Sequence, residues 1–161
     1  MVNKVYQHEE TAITWLASGG TNLLTPTSLG AAAGRQGAHY DRGTAAVARR
    51  YVWRAWIKPG ATRVVGQPLY VYLKTSDGTQ HDNDDGTGDI AVSSVDKTRN
   101  LRQIGVMEID ENAAVMMVVS GEIEVSARYV APVFWNATAN ALSTTAGDFG
   151  FSLTPVPDEI Q

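Results

Sequence analysis

The stretch RYVWRAWIK, residues 50–58, decides the fold. Tyr51, Trp53, Ala55 and Ile57 fall on one face of an extended chain, and Arg50, Val52, Arg54, Trp56 and Lys58 fall on the other. A period of two in aromatic and β-branched residues marks a half-buried strand, here with a mostly basic outer face, and Pro59-Gly60 ends it. The alternation returns in Leu69, Val71 and Leu73 against Tyr70, Tyr72 and Lys74, closed by the turn residues Ser76-Asp77-Gly78. Further strands are expected at residues 11–16, 102–109, 115–119, 122–126, 128–133 and 149–154. The pair flanking Ser120-Gly121 reads as a hairpin, because a two-residue loop with Gly suits the tight turns that hairpins favour. AAVMMVV, residues 113–119, has no alternation and reads as a strand covered on both faces. Helical signal is scarce, with room for a turn or two at residues 95–101 and 136–143. Many short strands with frequent turn signals predict an all-β fold, a jelly-roll-like antiparallel β-sandwich.

The segment before the first long strand has a different texture. SGGTNLLTPTSLGAAAGRQGAHYDRG, residues 18–43, is rich in Gly, Ala, Ser and Thr and poor in large apolar groups. Residues 1–43 are expected to form an extended Gly/Ala-rich arm or a long loop laid over the sheets, with one short strand. Residues 44–161 are expected to carry the sandwich within the same single domain. On that reading, removing residues up to Gly43 leaves a folded sandwich.

The chain of 161 residues is long enough for a sizeable core. Its 43% hydrophobic and 19% charged residues are a globular composition. The formal charge of −4 argues against a general nucleic-acid binder, which usually carries a basic excess. Nine of the thirteen basic residues are arginine, which suits fixed contacts with carboxylates. Without cysteine there is no disulfide, zinc-thiolate site or cysteine nucleophile. MVNKVYQHEE lacks the apolar run of a secretory signal, and residues 113–119, the longest apolar run, are too short to span a bilayer. No membrane partner is therefore expected, and synthesis belongs to the cytoplasm.

Residues 74–89, KTSDGTQHDNDDGTGD, concentrate acid at Asp77, Asp82, Asp84, Asp85 and Asp89. An EF-hand loop needs Gly at position 6 and a closing Glu at position 12. Gly86 at position 6 puts Val92 at 12, and Gly88 puts Ser94 there. Two readings remain, a solvated acidic loop tip and an irregular calcium site. His8, His39 and His81 have no metal-ligand partner at short spacing, and His8-Glu9-Glu10 lacks the second His of the zinc-protease signature. No nucleophile elbow or Gly-rich phosphate loop appears. The expectation is therefore no catalysis, no cofactor and no metal.

The aromatics carry three readings. Trp56, Tyr70 and Tyr72 form a stacking platform for sugars, or pack between strands as ordinary sheet residues. On the third, Arg50, Arg54, Trp56, Tyr70 and Tyr72 form a face buried by another chain, since Tyr, Trp and Arg are enriched at interface cores.

RVVGQPLYVYLKTSDGTQHDNDDGTGDIAVSSVDKTRNLRQIGV (63–106), SGEIEVSARYVAPVFWNATANAL (120–142) and FSLTPVPDEIQ (151–161), with GRQGAHYDRG before them, carry a likeness. The chain resembles small β-sandwich proteins encoded beside the major capsid gene in tailed bacteriophages, the head decoration or cement proteins. The resemblance covers residues 11–161 and rests on texture, because no catalytic motif defines that family. It implies a structural virion protein that binds the outer surface of the major capsid protein shell and stabilises the head. It further implies a homotrimer at local symmetry axes, with a dimer at two-fold positions as the other assembly. The capsid-contacting arm would then include Arg35, Gln36, His39, Tyr40 and Arg42; the other reading of these residues is a long loop packed on its own domain. The rival function is a carbohydrate- or host-surface-binding module of a fibre or tail.

Overall fold

A computed structural model describes residues 5–44, 48–83, 85–111 and 115–160. In chain order the first strands are β1 (Val5–Gln7), β2 (Ile13–Leu16), β3 (Asn22–Leu23), β4 (Ala33–Gln36), β5 (Tyr40–Asp41), β6 (Arg50–Ile57) and β7 (Pro68–Ser76). After them come β8 (Ile90–Val92), β9 (Arg102–Glu108), β10 (Met117–Glu124), β11 (Tyr129–Asn136), β12 (Phe149–Pro155) and β13 (Asp158–Ile160). One sheet has the order β10-β6-β12-β2-β3, the other β8-β4-β11-β7-β9 with β5 on β11, and β1 pairs with β13. All pairings are antiparallel among the described residues except β2 with β3.

Without the short strands, the sheets read β10-β6-β12-β2 and β4-β11-β7-β9. The chain visits them in turn, and only β7 and β9 follow one another in the same sheet. This eight-strand order, two interlocked Greek keys, is the jelly roll. The sandwich expected from the alternation of residues 50–58 is therefore the observed fold.

Alternation is what builds the core. Tyr51, Trp53, Ala55 and Ile57 of β6 point inward and meet Leu69, Val71 and Leu73 of β7 in one apolar cluster with Trp15, Phe134, Phe149, Phe151 and Leu153. Trp53 stacks on Phe151 at 6.2 Å, and Phe151 in turn takes Trp15 edge-on at 5.6 Å. Trp53 also lies against two glycines. A Cβ on Gly121, its partner in β10, would sit 3.0 Å from the indole nitrogen, and one on Gly105 in the opposite sheet 2.7 Å from Cη2. That contact corrects the expected hairpin. Ser120-Gly121 lies inside one continuous strand, β10, and its glycine answers a close approach, not a turn.

Other expectations change as well. β10 is an edge strand with Val118 exposed, so the apolar run is not covered on both faces; Ala113 and Ala114 lie outside the described residues. Residues 95–98 form a short 3-10 turn, whereas residues 136–143 form no helix. Their backbone is taken up by Asn136, fully buried, whose amide donates to the carbonyls of Leu29, Gly30 and Asn140 at 2.8–3.0 Å.

The largest correction concerns the N-terminal segment, which holds five strands and not one. Residues 1–4 of the expected arm lie outside the described residues. β2 and β4 are two of the eight jelly-roll strands. Trp15, fully buried, donates its indole N–H to the Ala38 carbonyl at 2.7 Å. The reason is that Gly, Ala and Gln are compatible with strands wherever a neighbour supplies the bulk. Gly34 lies under Trp135, its own partner in β11.

Two outcomes follow for stability. Trp53→Ala is expected to cost roughly 3–5 kcal/mol, read as a lower urea midpoint. Deleting residues 1–43 removes β2 and β4, so the truncated chain is expected to lose near-ultraviolet dichroism and cooperative melting; a retained sharp transition would contradict that assignment.

Candidate functional site

The acidic loop between β7 and β8 folds back over the outer face of its sheet, around a lysine. Alternation places Lys74 outward with Tyr70 and Tyr72, yet it is fully buried. Its ammonium donates to Gln36 Oε1 at 2.9 Å, to the Gly86 carbonyl at 3.0 Å and to the Asp85 carbonyl. Gln36, also fully buried, donates from Nε2 to the Gly86 and Gly88 carbonyls at 3.0 and 3.2 Å. A buried ammonium is stable only when hydrogen-bonding oxygens replace its water, and the loop backbone supplies them.

The aspartates hold the same loop. Asp82 accepts from the Thr75 backbone N–H and hydroxyl at 2.6 and 2.9 Å. Asp85 is buried and pairs with Lys97. Asp89 takes Arg35 in a two-pronged contact at 2.7 and 2.8 Å, and Thr25 as well. Burial pushes the Asp89 carboxyl up, but hydrogen bonds from Arg35 and Thr25 outweigh it and leave it below its ordinary value. Asp77 accepts from Gln80 and Thr79, which lowers it. Among the described residues the loop is thus exposed at 77–81 and again at 86–88, while Asn83 and Asp85 are buried between them. Among the described residues, no three His, Asp or Glu side chains converge as metal ligands. Asp84 lies outside the described residues.

The five residues assigned to a capsid-contacting arm are placed mostly inside the fold. Arg35 and Gln36 hold the acidic loop, as above. Arg42, 7% exposed, donates to the Tyr51 hydroxyl at 2.8 Å and to the Ala48 and Ala127 carbonyls. Tyr40 packs edge-on against Trp15 at 6.2 Å. His39 sits half-buried 5.6 Å from the His81 ring, with Nε2 buried and unpartnered. Burial first, then the charges of Lys74 and His81, push His39 down to about 4. Gln36 and Arg42 present no side chain to a partner; they belong to the reading of a segment packed on its own domain.

The proposed aromatic and arginine face is divided. β6 and β7 lie in different sheets, so Arg50, Arg54 and Trp56 share one outer face and Tyr70 and Tyr72 the other. Tyr70 and Tyr72 pack with Val92, Leu101, Val133 and Trp135, beneath the residues after the acidic loop. A single platform of Trp56, Tyr70 and Tyr72 does not form, because the sequence pattern shows which way a side chain points but not to which sheet it belongs. Arg50 pairs with Glu122 at 3.0 Å.

The exposed apolar groups, which the sequence reading did not single out, gather elsewhere. Of the eight large apolar side chains that stand exposed among the described residues, five are Val64, Val65, Val106, Val115 and Val118. The segment carrying Val64 and Val65 is tied to the end of β9 by Gly66 N–H to the Ile109 carbonyl and Ile109 N–H to the Gln67 carbonyl, both 2.9 Å. Val106 lies on β9, Val115 just before β10 and Val118 near its start. β9 and β10 are the edge strands of the two sheets and pack side by side. At this valine corner the exposed groups therefore border two strand edges, with Val106 facing outward from one sheet beside Tyr70 and Val118 from the other beside Trp56. The signal in the sequence was the pair Val64-Val65 in a polar connection, which carries no strand or helix period.

Two measurements check the anchor. Lys74→Met removes the ammonium donor from the Asp85 carbonyl and Gln36 Oε1 and leaves the Gly86 carbonyl with Gln36 alone, and is expected to cost roughly 2–4 kcal/mol, with faster proteolysis at residues 77–89. Folding holds His39 near 4 against 6.5 for the free side chain, so the unfolded chain takes up a proton that the folded one refuses. Stability therefore falls as pH drops from about 6.5 to about 4. After discounting for solvent screening, the loss is roughly 1–2 kcal/mol. Urea midpoints across that range are expected to change less in His39→Gln; an identical slope would remove His39 as the cause.

No family model matches the chain, and no curated protein sequence matches it.

Proposed function

We propose that the chain is a structural virion protein that docks on the outer surface of the major capsid protein shell of a tailed bacteriophage and stabilises the head. The observation that carries this reading is the valine corner beside the β9 and β10 edges. Clustered exposed apolar groups mark interaction surfaces, and monomeric domains seldom leave them open. The residues quoted for the decoration-protein resemblance support the same reading, and the segment carrying Val64 and Val65 lies within them.

The mechanism is mechanical. The jelly roll provides a rigid body, and the corner provides a contact repeated on every copy of a symmetric shell. Many weak contacts repeated in this way give large avidity without a tight single site. A homotrimer at a local symmetry axis places three such corners on neighbouring capsid subunits, so each bound trimer bridges them against the pressure of packaged DNA. Arg63 sets the corner's shape, through its guanidinium bonds to the Asp110 and Glu111 carbonyls.

The test is co-sedimentation of the purified chain with expanded capsids that lack it, with light scattering on the unbound protein. Saturation at a fixed ratio to the major capsid protein is expected, and Val65→Asp is expected to weaken binding by at least about tenfold, since a buried unpaired charge costs more than 1.4 kcal/mol. Val65 is exposed, so the variant should melt as the parent does. Unchanged binding by Val65→Asp and Val115→Asp would remove the corner from the interface, and absence of binding by the parent would sink the reading.

A further inference from the structure

We propose that the outer face of the β10-β6-β12-β2 sheet binds a linear polysaccharide bearing carboxylates. The sheet register sets four polar side chains in one row across it: Ser120 of β10 opposite Arg54 of β6, Arg54 opposite Ser152 of β12, and Ser152 opposite Thr14 of β2. Adjacent strands are about 4.8 Å apart, so the row offers polar groups at intervals close to the length of a pyranose ring.

The neighbouring row is apolar. Val118 stands opposite Trp56, and Trp56 opposite Gly150. The Trp56 ring covers Gly150 so closely that a Cβ there would fall 2.0 Å from Cζ2. The indole is thus laid along the sheet and does not project from it. Beyond it Leu16 pairs with Leu23, which is exposed. Trp15, Trp53 and Trp135 are all buried, whereas Trp56 remains partly open to solvent. An exposed flat ring beside a line of hydroxyls is what a sugar needs. The C–H face of a pyranose packs on the electron-rich ring face, and its hydroxyls bond to the adjacent row.

Arg54 sets the sign of the ligand. It is exposed and makes no hydrogen bond or ion pair with any described residue, and its register neighbours are serines. Glu122, on the same face, is engaged by Arg50 through two hydrogen bonds at 3.0 and 3.2 Å. The centre of the face therefore carries a free guanidinium fork, which matches a carboxylate in two-pronged geometry. A second copy of the chain fits poorly. A two-fold axis through the row would set Arg54 against its own copy, with no carboxylate in the row to receive it. A sheet surface without a pocket suits a ligand lying along it, which favours a chain over a single sugar.

The experiment is calorimetric titration of the full chain with an oligogalacturonate, a neutral cello-oligosaccharide and poly-L-glutamate, with tryptophan emission followed in parallel. Saturable binding of the oligogalacturonate with a change in emission is expected. Arg54→Gln should weaken it by at least about tenfold while melting stays unchanged, as an exposed, unpaired side chain allows. Trp56→Ala should abolish the emission change. Three results would overturn the proposal: no saturable binding up to millimolar oligogalacturonate, equal affinity for the neutral oligosaccharide, or equal affinity for poly-L-glutamate, which would make the ligand a protein carboxylate. Oligogalacturonate affinity unaltered in Arg54→Gln would overturn it as well.

Discussion

The Trp53 indole, laid over Gly121 and reaching Gly105 in the opposite sheet, is the contact on which the two layers depend. A glycine inside a strand normally weakens it, because it offers no side chain to pack and has more backbone entropy to lose. Here the missing Cβ is the space that the indole fills, so the loss at the glycine is offset by burial of the ring. The same device recurs at every tryptophan: Trp15 lies against Gly37, Trp56 covers Gly150, and Trp135 covers Gly34. Side chains on these strands are therefore coupled in pairs, and enlarging the glycine is equivalent to evicting the tryptophan. In Trp53 the pairing crosses between sheets, which makes it a determinant of their separation.

The second organising constraint is polar. Lys74, Gln36, Asp85, Asp89 and Arg35 form an anchored cover on the outer face of one sheet. Beside it Tyr72 is buried, and Tyr70 partly so, against Val92, Leu101, Val133 and Trp135, leaving the opposite outer face as the more open one. The asymmetry matters for binding. On one face Lys74, Arg35, Asp85 and Asp89 are satisfied by their own chain; on the other Arg54 has no partner among the described residues. Val118 stands on that open face beside Trp56, so it belongs to the apolar row there as well as to the valine corner.

Much of this was legible in the sequence because burial on one side of a strand leaves a period of two. β6, β7, β9 and β12 were readable for that reason, and with them the sandwich. β4 was not, since AGRQ has no large apolar residue and its neighbour Trp135 supplies the bulk from another strand. Lys74 followed the alternation but not its usual meaning, because a loop covers the face to which it points. Gly121 was taken for a turn because a tight turn and a close approach select the same residue. Among the site residues, His39, Tyr40 and Arg42 were reached through the resemblance, and only the tertiary fold shows that Arg42 is consumed inside it. The row of Ser120, Arg54, Ser152 and Thr14 is invisible to any one-dimensional reading, since its members come from four strands that meet only through register.

The position of β12 has a consequence for how the molecule is made. It lies between β6 and β2, in the middle of its sheet, yet it follows the other seven jelly-roll strands in the chain. Until it emerges from the ribosome, Trp15 lacks Phe151 and both β6 and β2 lack the neighbour that joins them. Folding of the sandwich therefore waits for β12, the slow regime of long-range pairing, and the nascent chain carries unpaired apolar strands in the meantime. A product cut short before residue 149 has no route to a native-like fragment. The fold consequently acts as its own inspector, withholding a stable structure from any copy that lacks β12.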